Sequence, residues 1–117
     1  MREKREKPNT CIHTPVSFKV LIEQERARVH RSGHHFTLLL FRLANSDALE
    51  EDLHKILFPT IMRRIRKIDQ LGLYDENHIG LLLPHTAVEG ARKLADELYR
   101  IVPIGEHVET SEFYVYP

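Results

Sequence analysis

Two groups of residues have types and spacings that could do chemistry. The first is Arg66-Lys67-Ile68-Asp69, with a guanidinium and a carboxylate three residues apart. Arginine's planar fork forms paired hydrogen bonds with oxyanions, so Arg66 and Asp69 are the first residues to consider for chemistry. The same spacing also makes an ordinary ion pair at a helix C-terminus, where the dipole favours a cation. Arg63 and Arg64 could supplement a ligand site, but a solvated basic face is the preferred reading. The second group is Asp75-Glu76-Asn77-His78, two carboxylates and an imidazole in one run. Such a run could hold a metal, but it is also what a tight chain reversal needs, and no metal site is expected. His34 and His35 are neighbours that a strand would point to opposite faces, so they read as a surface pair before the strand. His85 reads as a surface loop residue, and His54 as the edge of a helical stripe. No Ser-His-Asp or Cys-His arrangement can be assembled, and no glycine-rich phosphate loop is present.

These residues need elements to position them. Leu71–Tyr74 and Ile79–Leu83 are short apolar runs separated by Asp75-Glu76-Asn77, which predicts a β-hairpin closed by Pro84. Thr14-Pro15 predicts a helix start, with Phe18, Leu21, Ile22 and Val29 on one face, Glu25 interrupting it, and Ser32-Gly33 as the stop. His35–Leu43 is a nearly continuous apolar strand. Asn45-Ser46-Asp47 predicts a second helix start, with Asp47 and Glu50 as a capping box. Its stripe runs Leu49, Leu53, Ile56, Leu57, Ile61, Ile65, Ile68, with a break or kink near Phe58 because Pro59 cannot donate. On this reading Arg63 to Lys67 form a basic helical end. After the hairpin, Thr86 and Glu89 read as a T-x-x-E capping box. Ala91, Leu94, Ala95, Leu98 and Ile101 or Val102 give an amphipathic helix ended by Pro103 and Gly105. Residues 108–116 alternate and are rich in β-formers, which predicts a last strand. Residues 1–13 alternate charge with few apolar side chains and read as a disordered leader.

The order α-β-α(α)-β-β-α-β predicts an α+β, ferredoxin-like or nucleotide-cyclase-like sandwich. Its four-stranded, mostly antiparallel sheet has order 4-1-3-2, with helices mainly on one face and an additional N-terminal helix. The chain has 117 residues, which suits one domain, here 14–117. Lys+Arg and Asp+Glu are both 17, a balance that argues against nucleic-acid binding. The single cysteine, Cys11, cannot form an internal disulfide, which fits a reducing compartment. No apolar run is long enough to span a membrane, so a cytoplasmic location is expected.

The stretch from Phe18 to Pro117 resembles a degenerate GGDEF domain, the fold of the diguanylate cyclases. FKVLIEQERARVHRSGHHFTLLLFRL is similar to the family's leading helix, connection and first strand. Arg66-Lys67-Ile68-Asp69 matches its R-x-x-D. Counting on from Asp69 places the signature on Asp75-Glu76-Asn77-His78-Ile79, followed by LLLPHT. SEFYVYP resembles a later strand. The chain stops where the family usually adds another helix and strand.

The resemblance implies a bacterial signalling domain, and the departures imply that catalysis is lost. The two glycines that let the backbone approach GTP phosphates are replaced by Asp75 and Glu76, whose charges repel a polyphosphate. The catalytic acidic position falls on Asn77 or His78. The metal-binding aspartate falls on Phe41, Arg42 or Leu43, none of which offers the hard oxygen that Mg²⁺ requires. The expectation is therefore a non-enzymatic regulatory or interaction domain without cofactor. Its expected partners are cyclic di-GMP at Arg66 and Asp69, another protein domain, or a second copy. A structural dimerisation module is one alternative. The other is a cyclase with displaced ligands, for which Asp47 is the nearest carboxylate.

Overall fold

Thr14 starts the first helix as expected: its hydroxyl oxygen accepts from the Ser17 backbone N–H at 3.2 Å, and Pro15 occupies the first turn. The helix, α1, spans Pro15–Ser32 and ends at Gly33, whose φ of 77° closes the C-terminus in the left-handed conformation. The computed structural model describes residues 12–44 and 49–117. The capping box expected at Asp47 and Glu50, the thiol of Cys11 and most of the expected leader lie outside what is described. The rest of the chain runs β1 (Phe36–Leu43), α2 (Leu49–Asp52), a π-helical segment (Leu53–Leu57), α3 (Phe58–Met62), β2 (Gln70–Asp75), β3 (His78–Pro84), α4 (Val88–Tyr99), α5 (Val102–His107) and β4 (Val108–Tyr116).

The strands form one sheet of order β2-β3-β1-β4, which is the expected order read from the other edge, and all three pairings are antiparallel. Side chains alternate across it. Leu39, Phe41, Leu43, Ile79, Leu81 and Leu83 face a core shared with the π segment, α3, α4 and α5. Phe36, Leu38, Leu40 and Leu82 face α1, which covers the opposite side through Phe18 and Val29. β1 and β3 are thus apolar on both faces, which explains their continuous apolar sequences.

Phe18 is fully buried, and it lies directly on Gly72 and Gly80, which are paired across β2 and β3. A Cβ on Gly80 would come within 2.5 Å of the Phe18 ring, and one on Gly72 within 2.8 Å of both the ring and the His13 carbonyl. The paired glycines make a slot that admits the ring and the preceding backbone. His13 continues the contact as an isolated parallel bridge to Gly72.

The expected break at Pro59 takes the form of a π-helical turn. The Phe58 N–H reaches back to Leu53 O, and α3 begins with Pro59 in its first turn, where no amide is needed. Four local expectations are corrected. The helix ends at Met62, so Arg63 to Asp69 form a turn and not a helical end, and Ile68 is half exposed. The N-cap of α4 is Ala87, without a side-chain cap, because the Thr86 hydroxyl is engaged elsewhere. α4 stops at Tyr99, and Pro103 starts α5 instead of ending a helix. His34 is not a surface residue: it bonds Glu25 at 2.6 Å with only 10% of its side chain exposed, and its ring stacks on His85 at 4.3 Å. That contact also explains the buried Glu25, which Arg28 approaches from the solvent side.

His107 ties three elements together. Its Nδ1–H donates to Pro103 O at 2.7 Å, its Nε2–H donates to Asp52 at 2.9 Å, and its carbonyl accepts from Ala44 N–H. The Pro103 bond raises its pKa above the ordinary 6.5; partial burial opposes this and the Asp52 carboxylate reinforces it. A raised folded-state pKa contributes stability that is complete below about 6.5 and is lost as pH rises through the folded value. Urea unfolding between about pH 5.5 and 8.5 is expected to show stability falling across the upper part of that range, with His107→Gln removing part of the slope. Gly80→Ala is expected to destabilise by about 1–3 kcal/mol, read from the same unfolding curves at one pH, because the added methyl overpacks the Phe18 slot.

Candidate functional site

The turn after α3 is built around a buried carboxylate. The Asp69 side chain is 3% exposed, and its Oδ2 accepts from the Arg66 backbone N–H at 2.8 Å and from Arg66 Nε at 3.3 Å. Its Oδ1 accepts from Arg66 Nη2 at 2.9 Å. The backbone closes the same loop, Asp69 N–H donating to Arg66 O at 3.0 Å. Sequence reasoning paired these residues correctly, although they sit on a turn and not on a helix. The turn allows the side-chain fork and the backbone amide of one residue to converge on one carboxylate.

Arg66 also reaches across to the β3–α4 connection. Its Nη2 donates to Pro84 O at 2.8 Å and to Thr86 Oγ1 at 2.7 Å, and Thr86 Oγ1 donates in turn to Pro84 O at 3.1 Å. Thr86 is therefore a partner of Arg66, which is why it does not cap α4. Arg66 Nη1 makes no hydrogen bond among the described residues, and the side chain is 52% exposed.

Around this clamp is a cleft of about 270 Å³ lined by Arg64, Arg66, Asp69, Leu83, Thr86, Gly90 and Leu94. Leu83 and Leu94 give it apolar surface, Gly90 leaves room at the first turn of α4, and the guanidiniums of Arg64 and Arg66 supply positive charge. Sequence reasoning preferred a solvated face for Arg64 over a supplement to a ligand site, and gave Thr86, Gly90 and Leu94 no part here. The R-x-R spacing was the only local signal for Arg64. Thr86 comes from the β3–α4 connection, 20 residues away from Arg66, and Gly90 and Leu94 from α4, so only the fold brings them near.

The second group closes the β2–β3 hairpin. Asp75 and His78 are paired strand residues, with Glu76 and Asn77 exposed in the loop. Asp75 Oδ1 accepts from the Asn77 backbone N–H and contacts His78 Nδ1, both at 2.8 Å. Partial burial alone would raise the Asp75 carboxyl; the His78 and Asn77 hydrogen bonds outweigh it and hold the pKa below the ordinary 3.8. No loop residue has a positive φ, so the turn lacks the left-handed twist usual in two-residue hairpins, and the register shifts between Leu73 and Asp75 instead. Ile79 is fully buried in the core.

Of the three positions at the end of β1, Phe41 and Leu43 are buried in the core. Arg42 points outward, registers with His78 and forms an ion pair with Glu109 at 3.5 Å. Asp47 lies outside the described residues. Among the described residues, no three His, Cys, Asp or Glu side chains converge as a metal site would require, and no helix is long and apolar enough to cross a membrane.

Asp69→Ala is expected to cost about 1–3 kcal/mol of stability in denaturant unfolding, because it strands the Arg66 backbone amide and leaves the guanidinium without its inner partner. The half-exposed arginine keeps the figure below that of a fully buried pair. Arg63→Ala, on the exposed side of the turn, is expected to stay within about 0.5 kcal/mol of the parent.

No family model matches the chain, and no curated protein matches it. Solved structures do. A DGC protein from Thermotoga maritima matches with a TM-score of 0.80 at 16% identity, over 95% of this chain and 86% of its own. The GGDEF domain of DgcB from Caulobacter crescentus, solved in complex with c-di-GMP, matches all of this chain and 80% of its own, with a TM-score of 0.67 and 11% identity. The FimX GGDEF domain from Pseudomonas aeruginosa matches over 97% of this chain and 78% of its own, with a TM-score of 0.61 and 12% identity. What is shared at these identities is backbone architecture: the four-stranded antiparallel sheet, its hairpin and its covering helices have the fold of a GGDEF domain.

Proposed function

We propose that this domain is a non-catalytic receptor module of bacterial cyclic di-GMP signalling, with the dinucleotide held at the Arg64–Arg66–Asp69 cleft. The observation that carries the reading is the cleft itself: two guanidiniums beside a fixed carboxylate, at the edge of apolar surface from Leu83 and Leu94. Guanidiniums suit phosphates and the acceptor edge of guanine, and apolar walls suit its ring faces, while the buried carboxylate holds Arg66 in place. The DgcB domain, a structural neighbour, was solved with c-di-GMP bound.

Within the cleft the two arginines have different parts. Arg66 is held by Asp69, Pro84 O and Thr86, so it presents a preorganised edge through Nη1 and costs little ordering on binding. Arg64 is exposed and is the side chain that swings onto the anion. Loss of catalysis follows from the hairpin chemistry. Asp75 is spent on its own turn, Glu76 adds negative charge where a triphosphate would lie, and the outward residue at the end of β1 is the cation Arg42. A cation there repels Mg²⁺, and phosphoryl transfer without metal charge lacks its main stabilisation.

Calorimetric titration of cyclic di-GMP tests this reading. Micromolar binding is expected for the parent, weakened at least about tenfold by Arg64→Ala, which leaves the clamp intact. Absence of heat with the parent protein, or sustained turnover of GTP with Mg²⁺ or Mn²⁺, would overturn it.

A further inference from the structure

His85 has a φ of 56°, the only positive φ outside glycine among the described residues. A residue with a Cβ seldom adopts that conformation, so its surroundings must hold it there. Three contacts do so. The His85 N–H donates to His35 O at 2.7 Å. The hydroxyl of Thr37, fully buried in β1, donates to Thr86 O at 2.6 Å. The His85 imidazole stacks on that of His34, with ring centroids 4.3 Å apart and planes inclined by 29°. His34 is itself held from α1. A carboxylate can only accept, so His34 Nε2–H donates to the buried Glu25 at 2.6 Å, and its Nδ1 meets the Ser32 hydroxyl.

The position of this residue in the chain gives these contacts a consequence. His85 lies between Pro84 and Thr86, and those neighbours supply the outer partners of Arg66: Pro84 O at 2.8 Å and Thr86 Oγ1 at 2.7 Å from Nη2. The twist at residue 85 sets how the carbonyl before it and the side chain after it are aimed. The hydrogen bonds to His35 O and from Thr37 tether the connection to β1 and its approach. The ring stack ties it to α1 instead. The lining of the cleft includes neither His34 nor His85.

We propose that His34 and His85 are positioning residues for the Arg66 clamp. Their stack carries the seat of α1, through Glu25, to the outer partners of Arg66 and so to affinity in the cleft. The consequence for binding rests on the cleft being the ligand site; the positioning rests on the contacts alone. A guanidinium held at Nη2 keeps its Nη1 edge in one orientation, and loosening the connection adds an ordering cost when a ligand binds. Coupling of this kind is reciprocal, so a ligand in the cleft also steadies the C-terminal end of α1.

The Nε–H of Arg66, which donates to Asp69, reports the clamp in nitrogen–proton NMR spectra without any ligand, and Arg66→Lys assigns its signal. His34→Gln keeps a donor for Glu25 and removes one ring. His85→Asn, at an exposed position, removes the other and keeps a residue type that tolerates positive φ. Each is expected to speed hydrogen exchange at the Arg66 Nε–H at least about threefold while the thermal melt stays cooperative. His30→Gln, which removes an imidazole on the same helix that bonds Tyr116, is expected to leave that rate unchanged. Calorimetric titration reads the consequence: cyclic di-GMP binding is expected to weaken about three- to tenfold in His34→Gln. A smaller rise in exchange in either ring variant that stays folded, or an equal rise in His30→Gln, overturns the proposal. So does unchanged affinity in His34→Gln when the parent binds. A parent protein that gives no heat overturns the ligand reading of the cleft, and the Arg66 exchange rates then decide the positioning by themselves.

Discussion

The depth at which α1 lies on the sheet depends on Phe18 and the two glycines beneath it. With any other residue at Gly72 or Gly80, a Cβ would meet the ring or the His13 carbonyl, and the helix would have to ride higher. Its present depth lets Val29 reach the apolar face of β1 and places Glu25 where His34 can hold it. One aromatic side chain at the start of α1 thus fixes contacts along the whole helix, down to the bond between His30 and Tyr116 at the end of β4. Burying one aromatic in this way contributes roughly 1.5–3 kcal/mol, and the geometry it imposes matters as much as the energy.

The Arg66–Asp69 clamp shows how one arginine can hold a turn and a distant connection together. Its inner bonds hold a turn that has no helix to support it and bind that turn to the β3–α4 connection. Asp69 is buried and would be costly without a partner, and the arginine that neutralises it is fixed as a consequence. The fixed guanidinium keeps one free edge toward the cleft. Arg64 lines the same cleft and is exposed, without side-chain hydrogen bonds among the described residues. The hairpin differs in kind: the Asp75 carboxylate bonds its own loop and His78, and so stabilises the chain reversal.

Much of the architecture was legible from the sequence because it rests on local chemistry. Thr14-Pro15 and Gly33 are caps whose physics is complete within a few residues. The apolar runs of β1 and β3 report burial on both faces, and their order with the intervening helices restricts the topology to very few arrangements. Pro59 announced a disturbance in its helix, although a missing amide by itself does not say whether the chain will kink or widen into a π turn. The errors fell where tertiary partners competed with local ones. Thr86 has the sequence of a helix cap, but Arg66, distant in sequence, takes its hydroxyl. Pro103 stops one helix or starts another equally well, and packing of Ile104 into the core chose the second.

The sequence by itself determined the order of the strands, the helices flanking them other than α5, the hairpin and the pairing of Arg66 with Asp69, because caps, periodicity and close spacing act over a few residues. Only the tertiary structure decided that Arg64, Thr86, Gly90 and Leu94 share a cleft with that pair. It also decided that Glu25 and His34 are buried together, and that Gly72 and Gly80 form one slot. Each of these depends on segments distant along the chain. Their proximity is set by which apolar faces pack together, and no local pattern in the sequence records that.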